Sequence, residues 1–289
     1  MNSNLEANFV VAVKASVLAG KEIMKVYQQE FEVSKKVDNS PITEADNKAN
    51  DCINKLLKQT EIPIISEENE DISFEIRKHW TKCWIVDPLD GTKEFVNRNG
   101  EFTVNIALVN EGVPTFGVIY WPVKQLLYVG DVSQNLAFRL QLTNHQFSNR
   151  LLKDVKELSP KKDHKSLKVL VSRSHASNKT KKYIDNLQKT GQPIELKSIG
   201  SSLKFCQIAE GNAHLYPRFA PTMEWDTAAG HAICNAVNIK VMQVNSTILL
   251  GRTVLLAPMQ ETRRKQTVPQ FRGNRRLWTL ECQTISVRA

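Results

Sequence analysis

The chain of 289 residues is 41% hydrophobic and 24% charged, and it carries a formal net charge of +9 at pH 7. This length admits one large domain or two closely packed ones, with enough apolar residues for a substantial core. Its five cysteines are scattered and form no Cys-x-x-Cys pair, which argues against a zinc or iron–sulfur site and favours a reducing, cytoplasmic compartment. No stretch of 18 apolar residues is present, so we expect no membrane-spanning helix.

The positive charge is concentrated at one end of the chain. Residues 240–289 contain nine Lys and Arg residues against two Glu, whereas residues 1–239 are close to neutral. The overall basicity therefore says little about the natural ligand. A basic tail could touch nucleic acid or the inner face of a membrane. We expect no nucleic-acid partner, because no aromatic-basic RNA motif is present.

Hydrophobic periodicity predicts helices and strands in mixed order over the first half of the chain. The predicted elements are helices over 5–29 and 43–58 and strands over 62–65, 84–86, 102–109, 115–120, 125–129 and 135–140. The first helix is amphipathic, because Lys14 interrupts its apolar run, and we interpret it as part of the fold rather than as a signal peptide. Residues 144–167 are polar and rich in lysine, and they mark the predicted junction between two subdomains.

The second half is predicted to alternate between strands and helices. The predicted strands are 168–172, 195–199 and 215–217, and the predicted helices are 178–190, 202–210 and 226–236. The order contains no regular βαβ repeat, which favours a layered α+β sandwich over a Rossmann fold or a barrel. We expect an N-terminal α+β subdomain over 1–150, a C-terminal α/β subdomain over 151–239 and an atypical basic segment over 240–289.

A short apolar strand ends in two carboxylates, Asp87 and Asp90, followed by Gly91 and Thr92. Acidic side chains at a strand end are unfavourable unless a cation neutralises them, and Mg²⁺ prefers carboxylate, carbonyl and water oxygens. The Gly-Thr turn presents backbone N–H groups that suit an anion such as phosphate. This combination indicates phosphate transfer or phosphate hydrolysis.

Glu67 and Asp226 complete a set of four acidic candidates for one metal cluster. Each has a simpler interpretation: Glu67 could belong to a solvated acidic loop, and Asp226 could cap the helix predicted after it. Asp87 and Asp90 could be turn residues around Pro88. An EF-hand is excluded, because apolar residue 89 and glycine 91 stand where that loop needs oxygen side chains.

Asp46 admits two interpretations. With Thr43 three residues before it, Asp46 resembles the second member of a capping box at the start of the second helix. Alternatively, its carboxylate orients a hydroxyl group in an active site. Spacing alone favours the capping interpretation.

Four motifs in this order resemble the lithium-sensitive, Mg²⁺-dependent inositol monophosphatase superfamily. They are PITEAD at 41–46, SEE at 66–68, DPLDGT at 87–92 and WDTAAG at 225–230. The runs at 86–104, 172–175, 198–206 and 215–219 resemble one branch specifically, the bacterial 3′(2′),5′-bisphosphate nucleotidases. The resemblance covers about residues 5–239. It implies a layered α/β/α/β/α sandwich of the sugar-phosphatase type.

The resemblance also implies two or more Mg²⁺ ions in the active site. Glu67, Asp87 and the Leu89 carbonyl would bind the first ion, and Asp87, Asp90 and Asp226 would bind the second. Asp46 would accept the proton of Thr92, whose hydroxyl would activate the attacking water, and Glu67 would help to orient that water. This role outweighs pure capping for Asp46, although both can hold.

The phosphate to be cleaved would lie against Asp90, Gly91 and Thr92. Nucleotide contacts would come from four residues of the second half, which are His175, Ser201, Lys204 and Arg218. Each of these could instead be an ordinary surface or loop residue.

The implied reaction is hydrolysis of adenosine 3′,5′-bisphosphate to AMP and phosphate, with the 3′-phosphoadenylyl sulfate analogue of sulfate assimilation as a second substrate. The alternatives are an inositol-monophosphatase-like or fructose-bisphosphatase-like sugar phosphatase and, from another class, a basic nucleic-acid-binding protein. The expected location is the cytoplasm, with peripheral attachment to the inner membrane face left open. Nothing in the sequence indicates an oligomeric state.

The C-terminal segment departs from the family pattern. The short Asn-Pro motif that this family usually carries near its C-terminus is absent, and the sequence beyond about residue 239 is rich in Arg, Gln and Thr. Three hypotheses are open: a frame change that replaced the final strands, a genuine basic extension, or an ordered tail that packs through 248–256 and Trp278. If the final strands were missing, one sheet would expose an unprotected edge.

Overall fold

The computed structural model describes residues 5–36, 40–160, 166–173, 177–220, 222–243 and 253–256. The first part of the chain contains α1 (Ala7–Tyr27), β1 (Val33–Lys35), β2 (Pro41–Thr43), α2 (Glu44–Leu57), β3 (Ile64–Ser66), α3 (Phe74–Arg77), β4 (Lys82–Asp90), α4 (Thr92–Val96), β5 (Thr103–Asn110), β6 (Val113–Trp121), β7 (Leu126–Asp131), β8 (Leu136–Gln141) and β9 (Lys156–Glu157). The second part contains β10 (Leu167–Ser172), α5 (Asn178–Gln188), β11 (Ile194–Ile199), α6 (Leu203–Ala209), β12 (Leu215–Arg218), α7 (Ala228–Ala236), β13 (Lys240–Gln243) and β14 (Thr253–Leu256).

The first sheet has seven strands in the order β3-β4-β5-β6-β7-β8-β9. Only β3 and β4 pair in parallel, and the other neighbours are antiparallel. Short hairpin connections explain this pattern, because antiparallel neighbours need no crossover. A separate pair, β1 and β2, precedes α2 and was not predicted from the sequence.

The second sheet has five strands in the order β11-β10-β12-β14-β13, and all of its pairings are parallel. Two of these strands, β13 and β14, come from the basic C-terminal segment. Among the described residues, this segment therefore supplies strands to the sheet, as the hypothesis of an ordered tail requires. Residues 257–289, including Trp278, lie outside the described part of the chain.

Both faces of the first sheet are covered by helices. Because both faces of β4 are buried, its sequence is almost continuously apolar. Alternate residues of a strand point to opposite faces. Trp84 on one face belongs to the core cluster formed with α1 and α2, and Ile85 on the other belongs to the cluster formed with α6 and α7. Phe9 of α1 stacks on Phe116 of β6 with ring centroids 4.0 Å apart.

The second sheet packs against the other side of α6 and α7. Phe205 and Cys234 of these helices share a buried cluster with Leu170 and Tyr216 of the sheet. On the outer face, α5 packs through Ile184 on a further cluster. The order of layers is therefore helix, sheet, helix, sheet, helix, and the predicted α+β sandwich is confirmed. The predicted subdomain boundary near residue 150 stays a prediction, and β9 extends the first sheet to Glu157.

No helix among the described residues is both long and hydrophobic enough to cross a lipid bilayer. The four cysteines in the described part of the chain are Cys52, Cys83, Cys206 and Cys234, and all are free thiols.

The backbone of α7 packs directly against two glycines of the first sheet, Gly117 and Gly130. A Cβ atom on Gly117 of β6 would lie 2.3 Å from the carbonyl oxygen of Ala229, and one on Gly130 of β7 would lie 2.6 Å from Cα of Ile233. Side chains at either position would push the helix away from the sheet. Glycine is therefore required there by the approach of the helix backbone.

We expect Gly117→Ala to destabilise the protein by about 1–3 kcal/mol, because the added methyl group overpacks a backbone contact. Urea unfolding in the presence of a chelator measures this difference. Val113→Ala, at an exposed position of the same strand, is the control and should change stability by about 0.5 kcal/mol or less. Equal stability of Gly117→Ala and the wild type would contradict the close-packing argument.

Candidate active site

An irregularity in the β4–β5 pairing brings two carboxylates to the same face of the first sheet. Asp87 pairs with Asn105 and Asp90 pairs with Thr103, with a register shift between the two pairs. Asn105 and Thr103 are two residues apart and therefore share one face, so their partners share it as well. Without the irregularity, two residues three positions apart would point to opposite faces.

Asp87 is buried, with 1% of its surface exposed, and only half of its carboxylate is satisfied. Its Oδ1 atom accepts a hydrogen bond of 3.1 Å from the Leu89 backbone N–H. Its Oδ2 atom has no hydrogen-bond partner among the described residues. Burial, together with repulsion from Glu67 and Asp90, raises the pKa of Asp87 well above its usual range. A buried oxygen of this kind is costly unless a cation binds it.

Asp90 is held from both halves of the molecule. Its Oδ2 atom accepts hydrogen bonds from the Asn105 side chain at 3.3 Å and from the Ser202 backbone N–H at 2.5 Å. Burial raises the pKa of Asp90 to about 6, and repulsion from Asp226 adds to the rise, whereas Lys204 and Arg218 oppose it.

Asp226 lies in the turn before α7, and the prediction that the helix begins at this residue is wrong. The helix begins at Ala228 with Thr227 as its N-cap residue. Asp226 Oδ2 instead accepts hydrogen bonds from the Thr222 hydroxyl at 2.7 Å and from the Arg218 guanidinium at 3.1 Å. The simpler interpretation of Asp226 as a helix cap therefore fails.

Asp87, Asp90 and Asp226 present carboxylate oxygens that all lie within 4.8 Å of one another. One of the three residues, Asp87, is the one whose Oδ2 atom has no hydrogen-bond partner among the described residues. Hard oxygen donors around a buried, unsatisfied carboxylate fit a divalent cation such as Mg²⁺. The residues therefore fit a metal ion at this position.

Glu67 lies beside this group without belonging to the closest set. Its backbone N–H donates to the Val86 carbonyl at 3.2 Å, which ties it to β4. Its Oε1 atom pairs with Lys36 at 2.7 Å, and Lys36 also pairs with Glu68. Burial raises the pKa of Glu67 to about 7, although Lys36 lowers it. The alternative of a freely solvated acidic loop does not describe these residues.

Asp46 makes the hydrogen bonds that both interpretations of the sequence require. Its Oδ2 atom accepts hydrogen bonds from the Thr43 backbone N–H at 2.8 Å and hydroxyl at 2.7 Å, and with Thr43 it forms the capping box of α2. Its Oδ1 atom accepts a bond of 3.1 Å from the Thr92 hydroxyl. The Leu89 carbonyl lies 3.3 Å from the same hydroxyl, and the Leu89 side chain packs in the core.

The turn between Asp90 and Thr92 depends on Gly91, which has a φ of 94°. This left-handed conformation suits glycine, and a Cβ atom there would also lie 3.1 Å from the Glu101 carbonyl oxygen. The left-handed turn therefore places the backbone of Gly91 directly after the Asp90 carboxylate.

The four residues predicted to contact the nucleotide differ in their burial and in their position relative to the carboxylates. Lys204 is 2% exposed, and its ammonium donates to the backbone carbonyls of Ile199 and Ser201. Arg218 reaches the site through its contact with Asp226. Ser201 has a φ of 46° and lies in the loop that approaches Gly91. His175 lies outside the described residues. The nucleotide roles of all four stay predictions.

Several residues that contact the carboxylates were not predicted, among them Asn105, Thr222, Lys36 and Ser202. Asn105 interrupts an otherwise apolar strand, and this polar residue within a buried run was a usable signal. Lys36 and Ser202 reach their carboxylates from distant parts of the chain, and no local pattern indicates such contacts.

The model of the inositol monophosphatase family matches residues 4–274 of the chain. The 3′(2′),5′-bisphosphate nucleotidase CysQ of Shigella flexneri is 45% identical over 227 residues, which cover 77% of this chain and 85% of that protein. The CysQ protein of Buchnera aphidicola is 46% identical over 231 residues and covers 77% and 79%, respectively.

Among solved structures, CysQ from Bacteroides thetaiotaomicron, described as a bacterial member of the inositol monophosphatase family, is 42% identical with a TM-score of 0.72. The superposition covers 81% of this chain and 87% of that one. The IMPase of Thermotoga maritima is 20% identical with a TM-score of 0.60, covers 78% and 81% of the two chains, and shows similarity of fold alone.

The crowded carboxylates predict how stability depends on pH when divalent metals are removed with a chelator. The pKa values of Asp90, about 6, and Glu67, about 7, are raised by folding. The folded state therefore retains protons that the unfolded state releases above about pH 4, and its stability should fall as pH rises from there to about 7. Asp87→Asn removes the central buried charge and should make this decline shallower.

Urea unfolding at about pH 5 and about pH 7.5 measures how steeply the free energy of unfolding falls with pH in the wild type and in Asp87→Asn. Asp185→Asn, an exposed substitution in α5, is the control and should follow the wild type. An unchanged slope in Asp87→Asn would show that the carboxylates do not repel one another as described.

Proposed function

Because the chain belongs to the inositol monophosphatase family, we propose that it is a metal-dependent 3′(2′),5′-bisphosphate nucleotidase. The observation that carries this proposal is the convergence of three carboxylates beside the Asp46–Thr92 hydrogen bond. Identity of 45% to a curated nucleotidase supports the choice of substrate. The products are AMP and inorganic phosphate when the substrate is adenosine 3′,5′-bisphosphate.

The proposed cofactor is Mg²⁺, with two or more ions in the site. Glu67, Asp87 and the Leu89 carbonyl would hold one ion, and Asp87, Asp90 and Asp226 would hold a second. Bound ions of this kind stabilise charge on the phosphoryl oxygens and make water acidic enough to supply hydroxide near neutral pH. The unpartnered Oδ2 atom of Asp87 supports this assignment.

The Asp46–Thr92 pair orients the attacking water. The Asp46 carboxylate accepts a hydrogen bond from the Thr92 hydroxyl, with 3.1 Å between the two oxygens, so the Thr92 oxygen can itself accept a hydrogen bond from the attacking water. Since the second oxygen of Asp46 is held by the start of α2, the carboxylate cannot rotate freely. Glu67, close to the same cluster, supplies a second acceptor for that water.

The phosphate to be cleaved lies against Asp90, Gly91 and Thr92. Backbone N–H groups of the turn would bind its oxygens, because turns with a left-handed glycine such as Gly91 can form anion-binding concavities. The attack on phosphorus is in line with the leaving 3′-oxygen of the nucleotide.

Contacts with the rest of the nucleotide come from the second half of the chain. Arg218 lies next to the metal cluster, and Ser201 lies against the phosphate turn. His175 and Lys204 complete the proposed set, and the sulfated analogue of the bisphosphate would use the same contacts. The free thiols support a reducing compartment and therefore a cytoplasmic location; peripheral attachment to the inner membrane face is the open alternative.

Phosphate release from adenosine 3′,5′-bisphosphate tests the proposal. We expect turnover that requires Mg²⁺, is inhibited by lithium and falls at least about 100-fold in Asp90→Asn, because one carboxylate of the cation site is lost. Asp185→Asn should retain wild-type activity. If inositol monophosphate or fructose 1,6-bisphosphate gave a higher kcat/KM than the nucleotide, the sugar-phosphatase alternative would replace the nucleotidase.

Thr92→Val tests the role of the hydroxyl separately. The side chain keeps its size but cannot bond Asp46 or water, and we expect kcat to fall by about 100-fold or more. Thr92→Ser retains the hydroxyl and should stay within about tenfold of the wild type. Steady-state kinetics at saturating Mg²⁺ distinguish the variants, and equal kcat values for the two substitutions would remove the hydroxyl from the mechanism.

A further inference from the structure

A short loop of the second half, residues 199–202, is attached directly to a proposed metal ligand. The Ser202 backbone N–H donates to Asp90 Oδ2, and the Ser202 hydroxyl contacts Thr103 at 2.8 Å and Asn105 at 2.7 Å. This loop joins β11 of the second sheet to α6. The position of the loop therefore affects the orientation of the Asp90 carboxylate.

Glu101 holds the same loop from the first half of the chain. Its Oε2 atom accepts a hydrogen bond of 2.7 Å from the Gly200 backbone N–H. Arg173, which follows β10, binds the same carboxylate with two nitrogens, Nε at 3.1 Å and Nη2 at 2.9 Å. A bidentate contact fixes the direction of a carboxylate as well as its distance. Glu101 thus bridges two points of the second half.

Lys204 binds the carbonyl groups of the same peptide units whose N–H groups contact Glu101 and Asp90. Its ammonium donates to the carbonyls of Ile199 and Ser201. In a trans peptide the carbonyl and the following N–H point in opposite directions. The N–H groups of Gly200 and Ser202 are therefore directed away from Lys204, one toward Glu101 and the other toward Asp90.

Close packing leaves this loop little room to shift. A Cβ atom on Gly200 would lie 2.8 Å from Cγ of Glu94 and 3.0 Å from the Glu101 carbonyl oxygen. A Cβ atom on Gly91 would lie 3.3 Å from Cβ of Ser201. A displacement of Glu101 would consequently be passed on to the loop and to the turn that contains Gly91.

We propose that Glu101, oriented by Arg173, is a positioning residue that sets the Asp90 carboxylate for metal binding through the Gly200–Ser202 backbone. This inference rests on the proposed metal site but not on the identity of the substrate. An ordinary ion pair would be the simpler interpretation, because Arg173 is 46% exposed and such pairs contribute little to stability. The Gly200 contact is what distinguishes Glu101, since it connects the pair to a ligand of the cluster.

Titration of the metal-free protein with Mg²⁺ alone, followed by calorimetry, tests the proposal. We expect Glu101→Gln to weaken Mg²⁺ binding by about tenfold, at the lower end of the effect of groups that orient metal ligands. The melting temperature in chelator should change little. Glu195→Gln is the matched control, because Glu195 forms an exposed ion pair with Lys168 in the same sheet and has no contact with the loop among the described residues.

Arg173→Met provides a second variant that leaves the Glu101 side chain in place. It should weaken Mg²⁺ binding in the same direction, and the double variant should lose less than the product of the two single effects, because the residues act as a unit. Unchanged Mg²⁺ affinity in Glu101→Gln would overturn the proposal. A higher KM for the bisphosphate with unchanged Mg²⁺ affinity would also overturn it, by assigning the pair to substrate contact.

Kinetics separate this inference from the proposed function. If the wild type failed to hydrolyse the bisphosphate while Glu101→Gln still weakened Mg²⁺ binding, the nucleotidase assignment would fail and the positioning role would stand.

Discussion

Repulsion among the carboxylates of Asp87 and Asp90 in β4 and of Asp226 in the turn before α7 is the constraint around which the site is built. Three side chains with oxygens within 4.8 Å of one another cannot all be ionised in a low-dielectric environment without compensation. Ser202 and Asn105 supply part of this compensation at Asp90, and Arg218 supplies part at Asp226. The proposed cation would supply the remainder. Each of these donors comes from a different element, so the assembly of both sheets is a condition for the site.

The central helix layer is what makes that assembly rigid. Gly117 and Gly130 on neighbouring strands accept the backbone of α7, and the turn before α7 presents Asp226 to the carboxylates of β4. A helix held by backbone contacts in two places cannot slide along the sheet. The separation between Asp226 and Asp87 is therefore determined by strand–helix packing and not by flexible loops.

Much of this arrangement could be predicted from the sequence, and each exception has a physical reason. Strand positions followed from apolar runs, and the layer order followed from the family resemblance. The pairing of β1 with β2 was missed, because each strand has only three residues, too few for a hydrophobic pattern, and those of β1 are exposed. The helix start at Asp226 was misplaced by two residues, because a side chain held by Thr222 and Arg218 looks in sequence like a cap.

The contacts around the carboxylates were the least predictable part. Lys36 meets Glu67 across 31 positions of the chain, and Ser202 meets Asp90 across 112. Local periodicity reports which face of an element is buried, but it does not report which residues of two distant elements meet. By contrast, the contacts of Asp46 with Thr43 and with Thr92 were both anticipated, because one depends on a spacing of three residues and the other on a family motif.

Asp46 has a consequence for how related sequences should be interpreted. One of its oxygens caps a helix and the other accepts a hydrogen bond from the Thr92 hydroxyl, so helix stability and the proposed orientation of the water place the same demand on a single side chain. A descendant that lost its activity would still be under selection to keep this aspartate for folding. Retention of Asp46 in a relative is therefore weak evidence of an active enzyme, whereas retention of the unsatisfied carboxylate of Asp87, which a fold without a cation would tend to discard, is stronger evidence.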